Sequence, residues 1–326
     1  MGNTILRTNL LAEHPKYGIS HDVGHMDSHM TTTVLVTGAD GFVGLHLVRK
    51  LKQMKRRVVA TDLIAHDEIV HLDVRRRTCV EEVFRAVMPN VIVHLAATVD
   101  KTKSDPYDLY ANNILGTINI CDVGTRLAVR KIVFMSSVVV CGNVAEKELP
   151  ITEETPVEPI TPYAASKACG EILVSEHVMR KKIVAVMLRP TTIFGPGQKS
   201  NLIQEFMDKA LNGIPLEIYD DGSHTREFVF VEDAVDAITA AIDMNDLPFD
   251  KFLVATGAPV RTGELVEKIC SMVGRGSVRH VDAPTVMLSQ RYDISRAQTY
   301  LKWRPRVSLE DGLALTLQWR RKMLRK

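Results

Sequence analysis

Between Val34 and Leu188 the chain spells six short apolar runs, none joined to the next by a hairpin turn. They are Val34 to Val36, Arg57 to Thr61, Ile69 to Leu72, Val91 to Leu95, Lys131 to Met135 and Val184 to Leu188. Stretches of helical character separate most of them, roughly Phe42 to Met54, Thr78 to Met88, Pro106 to Leu127 and Tyr163 to Met179. Strands that alternate with helices predict an α/β fold around a doubly wound parallel sheet, with right-handed crossovers. Ligands of such sheets lie beyond the carboxyl ends of the strands. Gly38, Asp62, Asp73, Ala96 and Ser137 fall at the ends of five different runs.

The first run leads into TGADGFVG, where Gly38, Gly41 and Gly44 recur every third residue. A glycine at a strand end allows a tight turn, another lets backbone approach a phosphate, and a third lets the helix pack close. The free N–H groups that open the helix make an anion site. Alone, the triplet also fits an ordinary strand-to-helix turn, since it is not the common G-x-G-x-x-G spacing. Asp62 weights the choice. An acid at the tip of the second strand accepts the hydroxyls of an adenosine ribose and repels a 2′-phosphate, so NAD is favoured over NADP. Asp73 either meets an adenine amino group or caps the helix that follows. Ala96 and Ala97 leave room for a cofactor or simply pack.

Charge gives no reason to invoke nucleic acid or membrane: 41 basic residues face 39 acidic ones, and no apolar run approaches the roughly 18 residues of a membrane span. Five scattered cysteines, none in C-x-x-C, point to a reducing cytoplasm and not to disulfides or a metal site. Residues 1–29 are polar, carry His14, His21, His25 and His29, and lack any period. They read as a flexible or cloning-derived extension, with Met30 as the natural start. Residues 30–190 then form the dinucleotide-binding domain, with 227–257 partly returning to it, and 191–326 mostly a smaller substrate-binding lobe. In that lobe helices are expected at about Leu202 to Leu211, Thr262 to Val273 and Leu309 to Leu324, the last capped by Ser308. Strands are expected at Leu216 to Tyr219, Glu227 to Val231 and Phe252 to Thr256.

Tyr163 and Lys167 share a helix face in YAASK. An ammonium beside a phenol favours the phenolate, which makes a useful base. A helical Tyr with an exposed Lys is common in any protein, so the pair alone is weak.

Jointly with these marks, several longer segments give the chain its resemblance: HLAA from His94, NILGT from Asn113, SSVVVCG from Ser136, LRPTTIFGPGQ from Leu188, GSHTREFVFVEDAVDAI from Gly222 and DISRAQTYLKWRP from Asp293. From about Thr33 to Trp319 the sequence resembles the extended short-chain dehydrogenase/reductases, in their NAD-dependent epimerase/dehydratase branch. The resemblance implies a Rossmann-like domain and a catalytic set of Tyr163 as base, Lys167 as its tuner and nicotinamide-ribose ligand, and Ser137 as hydrogen-bond donor to the reacting oxygen. It implies NAD contacts at Gly38, Gly41, Phe42, Val43, Gly44, Asp62, Asp73, Val74, Leu95, Ala96, Ala97, Asn113, Lys167 and Pro190, with Asn113 also supporting the site from the neighbouring helix. It implies substrate contacts at Ser137, Thr192, Arg226 and Arg291, with Arg226 on the diphosphate of a nucleotide-sugar, although an ion pair with Glu227 or Glu232 rivals that role. No metal is implied, and a homodimer through the helices of Asn113 and Tyr163 is.

Departures from the pattern narrow the activity. Family dehydratases and decarboxylases place an acid directly after the catalytic Ser or Thr; here that residue is Val138. Cys141 stands where Tyr is usual, Thr192 where epimerases often have Asn, and Ala283 where many carry a second diphosphate arginine. The expectation is an NAD-dependent nucleotide-sugar epimerase acting at carbon 4 through a keto intermediate. The alternatives are a net oxidoreductase of a keto-sugar or other small hydroxy compound, and a non-catalytic dinucleotide sensor.

Overall fold

The computed structural model describes residues 32–66, 68–99, 105–181, 183–244, 249–285 and 287–324. The reading of residues 1–29, and of Met30 as the start, lies outside them. The six apolar runs become β1 (Thr33–Thr37), β2 (Arg57–Asp62), β3 (Ile69–His71), β4 (Val91–His94), β5 (Lys131–Met135) and β6 (Val184–Pro190). After them come β7 (Thr192–Phe194), β8 (Leu216–Tyr219), β9 (Thr225–Arg226), β10 (Phe228–Phe230), β11 (Phe249–Val254), β12 (Val260–Arg261) and β13 (Val278–Val281). One seven-stranded sheet runs β11-β6-β5-β4-β1-β2-β3, and every neighbouring pair in it is parallel. The strand order reverses between β1 and β4, which is where such sheets open a crevice.

Both faces of the sheet are covered, so its strands read as unbroken apolar runs. Successive residues of β1 serve opposite layers. Val34 and Val36 pack with α1 (Phe42–Gln53), whose Leu47 and Leu51 are fully buried. Leu35 joins Val80 and Phe84 of α2 (Arg77–Val87) on the other face. Each such side chain contributes about 1.5–3 kcal/mol of burial. The connection expected as one helix from Pro106 to Leu127 is three pieces: α3 (Pro106–Tyr110), a π turn at Ala111–Leu115 and α4 (Gly116–Arg126). Beside it lies α5 (Pro162–Lys181).

Past β6 the chain builds a third core from α6 (Leu202–Leu211), α8 (Thr262–Val273) and α10 (Leu309–Met323), around Phe194, Leu216 and Leu313. The small α9 (Ser295–Thr299) packs on β11. The sequence reading missed α7 (Val231–Asp243). Nine of its residues are buried, so its apolar positions run together with the preceding strand and hide the helical period. Lys131 is buried at the start of β5, where its ammonium donates to the carbonyls of Ala241 and Ile242 and closes the end of α7. Ser308 accepts the N–H of Asp311 at 3.1 Å and caps α10 as expected.

Candidate functional site

Two glycines make the turn after β1 possible. Gly38 has φ +69°, and a Cβ there would sit 2.7 Å from the Ala96 nitrogen, so the ends of β1 and β4 meet only because it has none. At Gly44 a Cβ would lie 2.2 Å from the Gly38 carbonyl oxygen, which lets α1 pack against its own entry turn. Gly41 is the N-cap of α1 and offers no side-chain acceptor. The first N–H groups of the helix therefore have no intrahelical partner and no side-chain cap. Phe42 and Val43 turn their side chains into the third and first cores, so only their backbone is left for a ligand.

A cavity of about 440 Å³ opens at this turn. It gathers Gly38, Gly41, Asp62, Asp73 and Val74 of the predicted set, and Leu95, Ala96 and Ala97 on its far wall. Asp62 is oriented by two backbone donors, the N–H of Asp40 at 2.9 Å and of Leu63 at 2.7 Å. Asp73 does not cap α2, which starts from Arg76 without any side-chain cap. Instead Arg75 forks onto it, with Nε at 2.8 Å and Nη2 at 2.9 Å, and holds the carboxyl below its usual range. The sequence reading missed Arg75, Thr98, Asp108 and Asn112 in this wall. Asn112 is exposed to the cavity by the π turn, a feature that no residue pattern announced.

Asn113, predicted as a cofactor contact, is spent on the protein. Its Oδ1 accepts from Thr98 N at 2.7 Å, while Nδ2 donates to Thr98 O and to Ser166 Oγ, both at 2.9 Å. It therefore positions the loop after β4 against α5. Behind it His94 is buried and neutral, its pKa pushed down to about 3 by loss of solvent. Thr117 gives its hydroxyl proton to Asn113 O at 2.6 Å, so His94 Nε2 donates to Thr117 and Nδ1 accepts from Thr37, at 3.2 and 2.8 Å. This relay ties the ends of β1 and β4 to the π turn.

Of the predicted catalytic residues, Tyr163 and Lys167 sit one turn apart on α5, and Ser137 follows the end of β5. Lys167 is buried, donates to Met135 O at 2.7 Å and lies 5.9 Å from the Tyr163 ring centroid. Burial lowers its pKa to about 8, while Glu171 one turn on pulls it back up. Tyr163 departs from expectation: burial pushes its pKa up to about 12, and no lowering by Lys167 offsets that. Ser137 caps a 3₁₀ turn at Val138–Cys141. Beneath it Ser136 donates to Glu171 at 2.5 Å, and Arg189 grips the same carboxylate with two bonds of 2.8 and 2.7 Å. The pair is almost fully buried and fixes the base of the site, a role not foreseen for Glu171 or Arg189.

A second cavity of about 190 Å³ adjoins Tyr163, Val138 and Val139. Its outer wall is Leu288 to Gln290, which hydrogen-bonds to Thr225 of β9. Arg226 follows directly, and its Nε is buried without a partner. Glu227 is not its counter-ion, because that carboxylate accepts the N–H groups of Thr256, Gly257 and Tyr292. Among the described residues Arg226 forms no ion pair, and it is in the lining of neither cavity. Arg291 is exposed and reaches the Leu149 carbonyl, not the cavity. Thr192 is exposed in β7, paired with Phe228, and Pro190 is buried at the end of β6 opposite Val254; neither lines either cavity.

Residues 34–255 match the model of the NAD dependent epimerase/dehydratase family. A UDP-glucose 4-epimerase of Mycolicibacterium smegmatis is 30% identical over 309 residues, covering 87% of this chain and 97% of that one. A dTDP-glucose 4,6-dehydratase of Streptomyces griseus is 32% identical over 313 residues, covering 89% and 94%. The solved UDP-glucose 4-epimerase of Thermus thermophilus in complex with NAD superposes with a TM-score of 0.79 at 27% identity, over 89% of this chain and 99% of that one. The glycine turn, the acid at the tip of β2 and the Tyr–Lys pair thus stand in a chain that belongs to the NAD-dependent epimerase/dehydratase family.

Proposed function

We propose that the protein is an NAD-dependent epimerase that inverts carbon 4 of a nucleotide-sugar through a transient keto-sugar. The observation that carries this reading is the cavity beside Tyr163: none of its described lining residues is an Asp or a Glu. Dehydration needs an acid to protonate the departing hydroxyl. The residue after Ser137, where family dehydratases keep that acid, is the buried Val138. Epimerisation needs only a base, a hydrogen-bond donor and a hydride carrier.

NAD fits the larger cavity, with its phosphates on the α1 N-terminus, its adenosine between Asp62 and Asp73, and Lys167 toward the nicotinamide ribose. When bound, it supplies a site that takes up a hydride and gives it back. Tyr163 takes the proton of the 4-hydroxyl and returns it, and Ser137 donates to the oxygen as charge develops there. Arg226 meets the substrate diphosphate, for which its unpartnered Nε is poised. Residues 191–326 serve mainly as the substrate side. The five cysteines are unpaired, which supports a reducing compartment. The π turn and α4 leave Leu115 and Ile118 on the surface, α5 leaves Ile172 and Met179 there, and α4 and α5 pack against one another, which supports a two-fold dimer.

The test is product analysis on UDP-glucose and dTDP-glucose with catalytic NAD. The 4-epimer should form with no net NADH. A 4-keto-6-deoxy product, or NADH formed in step with substrate, would replace this reading with dehydration or net oxidation.

A further inference from the structure

We infer that the sugar subsite is built for an uncharged hexose and rejects the corresponding uronate. The inference rests on the reading of Tyr163 as the base beside the sugar, because that is what makes the adjoining cavity the sugar subsite. Val138, Val139, Val144, Ile160 and Leu288 give this cavity apolar walls. Its polar lining is neutral, with the amides of Asn143 and Gln290 and the hydroxyls of Thr161 and Ser289. No described lining residue carries a formal charge.

The charged groups nearest in the chain are engaged elsewhere. Lys167, one turn from Tyr163, donates to the Met135 carbonyl and is not part of the cavity lining. Arg291 leans on the Leu149 carbonyl, Asp293 accepts the N–H of Ser295, and Glu227 is saturated by backbone donors. Arg226 lies on the strand behind the outer wall and is absent from the cavity lining. A hexose and its uronate differ at one place, a hydroxymethyl group against a carboxylate. The hydroxymethyl group hydrogen-bonds to an amide or hydroxyl and rests its carbon on valine. The carboxylate loses water and finds no cation in return, which costs it binding. Selectivity of this kind comes from an unpaired charge in the wrong ligand, not from an added contact to the right one.

The test uses the purified full chain with NAD. Dissociation constants are measured by calorimetry for glucose and glucuronate carried on the same nucleotide, UDP or dTDP, whichever raises the melting temperature more. The glucose form should bind on the order of 10²-fold more tightly. Equal binding, or tighter binding of the uronate, overturns the inference whether or not either compound turns over. Turnover is read separately: selective binding of the glucose form without a 4-epimer product would sink the epimerase reading and leave the selectivity standing. Val139→Arg supplies the missing cation at a position 39% exposed, where the longer side chain has room. It should shrink the ratio roughly tenfold or more by improving uronate binding. An unchanged ratio in a variant with the wild-type circular dichroism spectrum would place the sugar elsewhere and overturn the assignment of the cavity.

Discussion

In the proposed reaction Tyr163 is the residue on which the chemistry turns, and its environment sets a definite demand. Tyr163 is half-buried on the cavity wall beside Lys167, and loss of solvent pushes its pKa up to about 12, so a positive charge close to the phenol favours its acting as a base near neutrality. Tyr163→Phe keeps the ring and its packing and removes only the hydroxyl. Turnover should fall by roughly 10²–10⁴ with NAD affinity little changed. Lys167→Ala should lower both, because the proposed reading also gives its ammonium the nicotinamide ribose. Ser137→Ala should cost less than Tyr163→Phe, since one hydrogen bond goes and the proton acceptor stays. Steady-state kinetics with NAD titrations checks the ordering, and near-normal turnover in Tyr163→Phe would refute the mechanism. Asp62 is expected to set cofactor choice by the same kind of local argument. Its carboxylate is held on the cavity wall by the Asp40 and Leu63 N–H groups. Asp62→Ala should weaken NAD roughly tenfold or more and narrow the gap to NADP, measured by fluorescence titration. Wild-type protein that binds NADP as tightly as NAD would contradict this account of the acid.

The elements around the crevice are joined by the His94 relay, and this gives the fold a pH dependence of known sign. The folded-state pKa of His94 is about 3, against about 6.5 when unfolded. Below pH 6.5 the unfolded chain takes up a proton that the folded one refuses. Stability from this group is therefore complete above 6.5 and is lost as pH falls toward 3, at up to about 1.4 kcal/mol per unit. Urea unfolding at pH about 7.5 and about 5 should show a steeper loss in wild type than in His94→Asn; equal losses would mean the imidazole is not held neutral. The relay also marks where sequence reasoning stops. Six strands, the glycine turn and the strand-end position of Asp62 were legible because each follows from local pattern, a short unbroken apolar run, a tight turn or an acid at a run's end. Asn113 was assigned to the cofactor, yet the π turn buries it against Thr98 and hands the cavity to Asn112. A one-residue change of helical phase leaves no trace in composition. The Glu171–Arg189 pair went unseen for a related reason: 18 residues apart in sequence, they meet only through the packing of α5 on β6.

An expectation about assembly comes from how α5 and the broken helix beside it, α3 through the π turn to α4, divide their apolar residues. Leu109 and Ile120 are buried and belong to the core. Leu115 and Ile118, one turn apart, are 44% and 37% exposed, and Ile172 and Met179 on α5 are 68% and 85% exposed. Positions three and seven apart share a helix face, and the two helices pack side by side. Large apolar side chains grouped on neighbouring helices are unusual on a monomer and mark an interaction surface. A two-fold axis between such helix pairs would bury the same patch from both copies, as an isologous interface requires. The protein should therefore be a dimer by light scattering at micromolar concentration. Ile172→Glu puts a charge at the centre of the patch, where it makes no core contact, and should yield a monomer with the melting transition retained. Loss of the fold in that variant would return Ile172 to the core, and a wild-type monomer would end the proposal.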